Sequence, residues 1–282
     1  VDDDGGWHRR LVAQLAPQRR TVMTYIAGRA LVTGGSAGIG LAFARSLAKR
    51  GVDLVLVSRT EARLEAVAQR LRSHYGVEVE VIAADLATQE GVEQVTQRIT
   101  QDPVITIVVN NAGSGLHEPS VTTNVEAHTH GIDLMIKAPL MLAAEAGLAM
   151  KARGRGLIIN VGSVAGLISM NNYSAIKAWM NTYSEALTLE LRGSGVHVMT
   201  LLPGWVRTEF HQRAKVNAGA IPTWLWLSAD RLVTDTLKAV DQGKTRVVPS
   251  KRFKVLAFLA SYAPRPVVAW ATGLIKKGRD GG

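Results

Sequence analysis

"TGGSAGIG", residues 33 to 40, follows a short apolar run and carries glycines at the spacing G-x-x-x-G-x-G, on Gly34, Gly38 and Gly40. A glycine turn between a strand and a helix exposes backbone N–H groups and the positive end of the helix dipole, so it suits an anion. No Gly-Lys-Ser or Gly-Lys-Thr follows, which argues against a nucleoside triphosphate loop. The stretch predicts a site for a dinucleotide pyrophosphate, and the alternative is a glycine turn that serves packing alone.

Strands and helices alternate around this turn. Residues 39–51 and 61–76 have the apolar spacing of helices, and each ends on a glycine suited to a left-handed cap. Such alternation predicts right-handed βαβ units. We therefore expect an α/β fold, a Rossmann-type doubly wound parallel sheet with helices on both faces, in a single domain. The predicted strands are the apolar runs at residues 30–34, 53–59, 79–85, 105–113, 156–163 and 196–204.

The composition narrows the possible functions. The chain has no cysteine, which excludes disulfides, zinc–thiolate sites and thiol nucleophiles. Its 33 Lys and Arg against 23 Asp and Glu give a net charge of +10, which suits a nucleic acid, an anionic membrane or a phosphorylated ligand. Because the charges are scattered and no reading motif is present, nucleic-acid binding is not expected. His128 and His130 lack carboxylate or cysteine neighbours at ligand spacing, so no metal is expected.

The periodic pattern divides the chain into three parts. Residues 1–22 are interpreted as an N-terminal extension or a remnant of expression, 23–250 as the folded domain, and 251–282 as an apolar and basic segment. Prolines break the last segment too often for it to span a bilayer. It could cover the active site, join subunits or lie on an anionic membrane surface, and lid or subunit packing is favoured over the membrane. Without a signal peptide or a long apolar run, the protein is expected to be soluble and cytoplasmic.

The end of the second predicted strand bears on the choice of dinucleotide. Sites that prefer a free ribose 2′-hydroxyl usually place Asp or Glu there, whereas this chain has Ser58 and Arg59, which suit a 2′-phosphate. NADP(H) is therefore favoured over NAD(H). In the alternative, Arg59 is solvated and pairs with Glu61. Asp85 could accept a hydrogen bond from the adenine amino group or N-cap the following helix, and the two roles are compatible.

A helix predicted over residues 172–191 places Tyr173 and Lys177 on one face, four residues apart. An adjacent ammonium stabilises a phenolate and lowers the pKa of the phenol toward neutrality, which suits acid–base chemistry. Taken alone, such a pair is more typical of a surface. Ser163, however, ends a predicted strand and so lies on the same carboxyl edge of the sheet as the glycine turn. Its hydroxyl could hold a substrate oxygen there.

Five segments in this order resemble the short-chain dehydrogenase/reductase family: TGGSAGIG, NNAG (110–113), Ser163, YSAIK (173–177) and PGWVRTEF (203–210). The resemblance covers roughly residues 26–250. It implies that Tyr173 donates a proton in carbonyl reduction or accepts one in alcohol oxidation, that Lys177 lowers the Tyr173 pKa and holds the nicotinamide ribose, and that Ser163 orients the carbonyl. The cofactor-binding positions, from the residues and the resemblance together, are Gly34, Ser36, Gly38, Ile39, Gly40, Ser58, Arg59, Asp85, Leu86, Asn111, Ala112, Gly113, Tyr173, Lys177, Pro203, Gly204, Val206 and Thr208.

The sequence departs from the family pattern at one position. Many members carry an asparagine in a stretch like "IDxN", where it holds a water that links the lysine to solvent, but here "IDLM" has Met135. A thioether cannot donate, so the proton relay must be rerouted or slowed. Asn124 is a possible substitute, although it lies eleven residues earlier. The Ser163–Tyr173 spacing of ten is also short for the family, which predicts a trimmed loop.

The expected function is NADP(H)-dependent interconversion of a ketone or aldehyde and an alcohol on an apolar, lipid-like substrate such as a steroid or ketoacyl chain. The alternative is a dinucleotide-binding regulatory protein with weak or lost catalysis. Aromatics in 205–227 support an apolar substrate, or pack on the core or on a neighbouring subunit. His117 and His211 could contact substrate, but lone histidines are more often structural. A homo-oligomer, dimer or tetramer, is expected. The aromatics are Trp205, Phe210, Trp224 and Trp226.

Overall fold

The computed structural model describes residues 25–116, 118–208, 223–264, 266–270 and 272–273. Its strands are β1 (Arg29–Thr33), β2 (Asp53–Ser58), β3 (Val79–Ala83), β4 (Ile105–Asn110), β5 (Gly156–Val161), β6 (Val196–Leu201), β7 (Val206–Arg207), β8 (Leu227–Ser228) and β9 (Arg246–Val247). Its helices are α1 (Gly38–Ala48), α2 (Glu61–Tyr75), α3 (Gln89–Gln101), α4 (Val125–Ile132), α5 (Ala138–Ala152), α6 (Asn172–Glu190), α7 (Ala229–Asp241) and α8 (Lys251–Tyr262). A π-helical turn, Asp133–Lys137, joins α4 to α5, and two 3-10 turns cover Val164–Leu167 and Thr223–Leu225.

Seven strands form one parallel sheet in the order β3-β2-β1-β4-β5-β6-β9. The prediction of a doubly wound parallel sheet in a single domain is therefore confirmed. The predicted strands extended one to three residues too far at their carboxyl ends, because the polar and glycine residues there leave the ladder and form the loops of the site. β7 and β8 form a separate small parallel pair.

Helices cover both faces of the sheet because the strand side chains alternate between two buried layers. Leu54 and Leu56 of β2 pack with α1, α2 and α7, whereas Val55 and Val57 pack on the other face with α3 and α5. These four side chains are fully buried. Burial on both faces explains why the strands appear in the sequence as continuous apolar runs rather than as alternating ones.

The strand order reverses between β1 and β4, and this switch point is where parallel sheets of this kind bind ligands. Thr33, the last residue of β1, fixes the two strand ends to each other. Its hydroxyl donates to the Val109 carbonyl (3.2 Å) and accepts from the N–H groups of Asn111 and Ala112, both at 2.9 Å. The crevice beyond the sheet therefore has a rigid floor.

The C-terminal helix α8 follows β9 and packs beside the 3-10 turn at Val164–Leu167. Phe253 is the largest buried side chain of this helix, and its ring lies against the backbone of Gly204. None of the helices in the described part of the chain is both long and apolar enough to cross a membrane.

Candidate active site

The glycine loop lies at the carboxyl end of β1 and leads into α1. Gly34 and Gly38 have φ angles of +66° and +56°, which a residue with a side chain rarely adopts. A Cβ on Gly40 would come within 2.2 Å of the Gly34 carbonyl oxygen, so only glycine fits there. The N-cap of α1 is Ala37, whose side chain offers no hydrogen bond, and the first N–H groups of the helix are left for a ligand. This loop fits a pyrophosphate.

Other predicted cofactor-binding residues lie in or beside the glycine loop, and some of them belong to the segment after β4. Ile39 packs against the core, and Ser36 is partly exposed in the turn. The Asn111 side chain donates to the Thr33 carbonyl at 2.8 Å, which holds Asn111 beside Gly34 and Gly40. Ala112 and Gly113 continue this segment, so it forms a second wall of the crevice.

The end of β2 presents two polar groups without partners among the described residues. The Ser58 hydroxyl is buried and makes no hydrogen bond. Arg59 is exposed, and it forms no ion pair with Glu61, so this alternative from the sequence is not found. A buried orphan hydroxyl beside an available guanidinium fits a ligand anion.

Asp85 does not cap the following helix, contrary to one of the two roles expected from the sequence. The N-cap of α3 is Thr88, whose hydroxyl accepts from the Gly91 N–H at 3.1 Å. Asp85 instead accepts from the Ala87 N–H at 3.0 Å, because its short carboxylate closes a tight turn. Leu86 is buried and lines a small cavity behind the crevice.

Ser163, Tyr173 and Lys177 converge at the carboxyl end of β5. Ser163 accepts from the Ala165 N–H at 3.1 Å as the N-cap of the 3-10 turn, and it hydrogen-bonds with Tyr173. Lys177 is 6% exposed, and its Nζ donates to the Val161 carbonyl at 2.9 Å. The same Nζ lies 5.8 Å from the centre of the Tyr173 ring. The sequence-predicted triad therefore forms one cluster.

The pKa values of this cluster differ from the sequence-based expectation. Burial raises the pKa of Tyr173 to about 12, and the hydrogen bond with Ser163 only partly opposes this rise. Burial also lowers the pKa of Lys177 to about 8. A net lowering of the phenol pKa, which the sequence predicted, is therefore not found, because burial raises this pKa more than the hydrogen bond with Ser163 lowers it. Both shifts favour the neutral forms.

Asn181 was not predicted from the sequence as a site residue. Its side chain forms hydrogen bonds with both the N–H and the carbonyl of Ser163. Its amide donates to the Ser163 carbonyl at 3.0 Å and accepts from the Ser163 N–H at 3.3 Å. Asn181 is 5% exposed, and a Cβ on Gly162 or Gly166 would strike its side chain. The sequence shows only that Asn181 shares a helix face with Lys177, four residues earlier, and not that it reaches Ser163.

Met135 lies in the π-helical turn and is 1% exposed. It lines the small cavity of about 10 Å³ together with Lys177 and Asn110. Asn110 begins the NNAG segment but was not among the predicted site residues. Its amide donates to the Asn160 side chain at 2.9 Å, whereas its Oδ1 is buried without a partner among the described residues. Asn124 is exposed and donates to Glu118, so the structure does not place it in this cavity as a substitute for the family asparagine.

The segment after β6 closes the crevice from the other side. The Pro203 carbonyl accepts from the Val164 N–H at 3.0 Å, and Gly204 lies against Phe253. Val206 is buried in β7, and Thr208 reaches across to Gly38, where an added Cβ would be 3.3 Å away. Of these four positions, Thr208 is the one that the structure places against the glycine loop.

The aromatic residues of this region have separate environments. Trp205 and Trp226 are partly buried and form a tilted pair with ring centres 6.0 Å apart. Trp224 is exposed, with the Arg252 guanidinium 5.1 Å from its ring centre. Phe210, His117 and His211 lie outside the described residues. Within the described part of the chain, no group of three or more His, Asp or Glu could hold a metal ion.

A comparison with protein families finds the model described as short chain dehydrogenase over residues 29–218. Among curated proteins, a very-long-chain 3-oxoacyl-CoA reductase from Anas platyrhynchos is 33% identical over 193 residues, which are 66% of this chain and 62% of that protein. This chain therefore spans less than two thirds of that relative.

Two solved structures extend the similarity. A short-chain dehydrogenase from Sphingobium yanoikuyae in complex with NADPH is 36% identical, with a TM-score of 0.77 over 81% of this chain and 92% of that one. A bulky-bulky ketone specific alcohol dehydrogenase from Comamonas testosteroni is 33% identical, with a TM-score of 0.73 over 81% of this chain and 90% of that one.

Proposed function

Since the chain belongs to the short-chain dehydrogenase family, we propose that it interconverts a bulky, apolar ketone and its secondary alcohol with NADP(H). The convergence of Ser163, Tyr173 and Lys177 opposite a glycine loop supports this function most directly. A hydrogen-bonded serine and tyrosine beside a buried ammonium can hold a carbonyl oxygen and deliver a proton to it.

When bound, the dinucleotide supplies the hydride for the carbonyl carbon. The Ser163 hydroxyl donates a hydrogen bond to the carbonyl oxygen, and the Tyr173 hydroxyl gives its proton to the same oxygen as negative charge develops there. The Lys177 ammonium, near the ring, stabilises the phenolate that remains. Asn181 keeps Ser163 in place through its two backbone hydrogen bonds. In alcohol oxidation, Tyr173 accepts the proton instead.

The proposed preference for NADP(H) rests on the end of β2. Arg59 is exposed, and the buried Ser58 hydroxyl has no partner within the part of the chain that the structure describes. Neither position carries a carboxylate that would repel a 2′-phosphate. The NADPH complex of the Sphingobium relative supports the same choice. Arg59→Asp should weaken NADPH binding at least about tenfold and leave NADH binding nearly unchanged, since a charge-assisted hydrogen bond contributes about 1.5–3 kcal/mol. Equal losses for both dinucleotides would contradict this preference.

The proposed substrate class comes from the relatives and from the site. The relatives are named for very-long-chain 3-oxoacyl-CoA and for bulky ketones, and this chain carries the Trp205–Trp226 pair next to Gly204. An apolar ketone suits such aromatic surroundings.

A homo-oligomer is proposed from the exposed apolar side chains of α5 and α6. Leu140 and Met141 of α5 are 40% and 38% exposed, next to the stacked rings of Trp179 and Tyr183 on α6. Such a patch is typical of a subunit interface.

The direct test is a titration of the purified chain with NADPH and NADH, followed by turnover measurements on a series of bulky ketones. We expect Tyr173→Phe to lower turnover about 10²- to 10⁴-fold, because it removes the proton donor. The dissociation constant for NADPH should change little. Wild-type turnover in Tyr173→Phe would reject the proposed mechanism.

A second candidate function is that of a dinucleotide-binding regulatory protein, and Met135 is the observation that favours it. The Met135 thioether cannot donate a hydrogen bond into the cavity beside Lys177. It predicts tight NADPH binding and no turnover with any ketone of the series.

A further inference from the structure

The C-terminal helix α8 exposes a broad apolar face. Val255, Phe258, Leu259 and Tyr262 are 59%, 62%, 53% and 76% exposed, and we call these four residues the outer face of α8. At 3.6 residues per turn they lie within about 100° of arc, opposite the buried Phe253 and Ala257. Exposed aromatic and branched side chains so close together indicate a surface that binds a partner.

Basic residues border this face. The first turn of α8 holds Lys251, Arg252 and Lys254, all exposed, and the helix contains no acidic residue. The sequence from residue 242 to residue 279 contains nine Lys or Arg and no Asp or Glu. The partner must therefore combine an apolar surface with negative charge.

The helix is held so that its outer face points away from the domain. Phe253 packs its ring onto the Gly204 backbone, and Ala257, one turn further, is also buried. Arg252 donates to the Trp224 carbonyl and lies over its ring, which ties the first turn of the helix to the chain near β8. Since the buried stripe is narrow, the opposite side of α8 stays accessible along its whole length.

We propose that the outer face of α8 binds the surface of an anionic lipid bilayer, with the helix parallel to the membrane plane. A basic, apolar helix of this kind inserts its aromatic and aliphatic side chains at the level of the head groups, while its lysines contact lipid phosphates. With 12 residues the helix is about 18 Å long, which is too short to span a hydrocarbon core of about 30 Å.

The charges favour a bilayer over the other occupants. A second copy of this chain would bring the same basic segment to the contact, with no carboxylate from 242–279 to pair with it. A nucleic acid would offer phosphates but no apolar surface for Phe258 and Leu259. An anionic bilayer offers both groups at once. The inference does not depend on the proposed catalytic activity, because binding needs neither dinucleotide nor ketone.

The test is flotation of the full chain with phosphatidylcholine vesicles that contain or lack phosphatidylglycerol. We expect binding only to the anionic vesicles, and a strong decrease in about 1 M salt, where the Debye length falls to about 3 Å. Lys251→Gln/Lys254→Gln should lower the partition coefficient about fivefold for each charge removed. Lys49→Gln/Lys151→Gln removes two exposed charges elsewhere and is the matched control.

The apolar part is tested with Phe258→Ser/Leu259→Ser, which should lower vesicle binding about tenfold or more. Its control is Val104→Ser/Leu148→Ser, which removes two apolar side chains that are 48% and 67% exposed outside α8. Equal binding by the α8 variant and its control would overturn the proposal. The proposal would also be overturned if the α8 variant, but not its control, lost oligomers in lipid-free gel filtration. That result would mean that the outer face of α8 binds a second copy of the chain. Ketone turnover in detergent, measured in parallel, reports on the catalytic proposal separately.

Discussion

In the wall formed by β5 and α6, polar side chains are buried: Lys177 and Asn181 are 6% and 5% exposed, and both have hydrogen-bond partners. In the neighbouring helix α8, large apolar side chains are exposed, and Phe258 and Tyr262 retain 62% and 76% of their surface. Burial of the Lys177 charge and exposure of large apolar side chains each cost free energy for a chain folded alone in water. Under the functions proposed above, a reacting oxygen would contact the buried polar groups of the wall, and an external surface would cover the apolar side chains of the helix.

The strongest test of the wall is Lys177→Met, which removes the buried ammonium but keeps a long side chain. Turnover should fall about 10³-fold, because the phenolate of Tyr173 loses its neighbouring charge. Stability at pH 7 should not fall in parallel, since burial lowers the Lys177 pKa from 10.5 to about 8, a cost of about 3 kcal/mol. Urea unfolding and steady-state kinetics on the same samples measure both.

The same substitution has a pH signature. Below pH 8 the lysine is charged in the folded and the unfolded chain, and the cost of its burial is fully present. Between pH 8 and 10.5 the unfolded chain binds more protons, so this lysine makes the wild type more stable as the pH rises. The Lys177→Met variant lacks this burial cost, so its advantage over the wild type in free energy of unfolding should shrink between pH 7 and pH 10. A constant difference would show that the burial cost is small.

The second test is Asn181→Ala, which leaves the N–H and the carbonyl of Ser163 without their side-chain partner. We expect a loss of about 1–3 kcal/mol in unfolding free energy. Turnover should fall about 10- to 100-fold, because Ser163 is no longer held in place. NADPH affinity should stay within about twofold, since Asn181 does not face the glycine loop. Thr182→Ala, at an exposed position on the same helix, is the control.

The wall also shows how far the sequence could predict this site. The glycine loop, Tyr173 and Lys177 were predictable because each depends on local spacing along one turn or one helix. The role of Asn181 depends on where α6 lies relative to the end of β5, and no local pattern encodes that distance. Asp85 and Thr88 are both good caps, so only the backbone geometry could decide between them. The exposed face of α8 was visible as an apolar run, but its direction depends on Phe253 packing onto Gly204.

The third test addresses Met135, the residue that departs from the family pattern. Met135→Asn should raise turnover a few-fold, because an amide there can donate to the orphan Oδ1 of Asn110 and add a polar group to the cavity beside Lys177. It should also cost about 1–3 kcal/mol of stability, since the position is 1% exposed. Met135→Leu keeps the site apolar and should change turnover little. If Met135→Asn turned over more slowly than the wild type, an apolar residue at position 135 would be shown to favour turnover.

The smallest effect is expected in α8. Phe258→Ser removes a whole aromatic side chain, yet in lipid-free buffer it should change the unfolding free energy by no more than about 0.5 kcal/mol, because the ring is 62% exposed. Phe253→Ala on the buried side of the same helix should cost about 3–5 kcal/mol, since its ring fills the space against Gly204. Paired thermal and urea unfolding of the two variants measures this contrast. A large loss of stability in Phe258→Ser alone would mean that the outer face of α8 is covered by the chain itself, and the difference between the wall and the helix would then disappear.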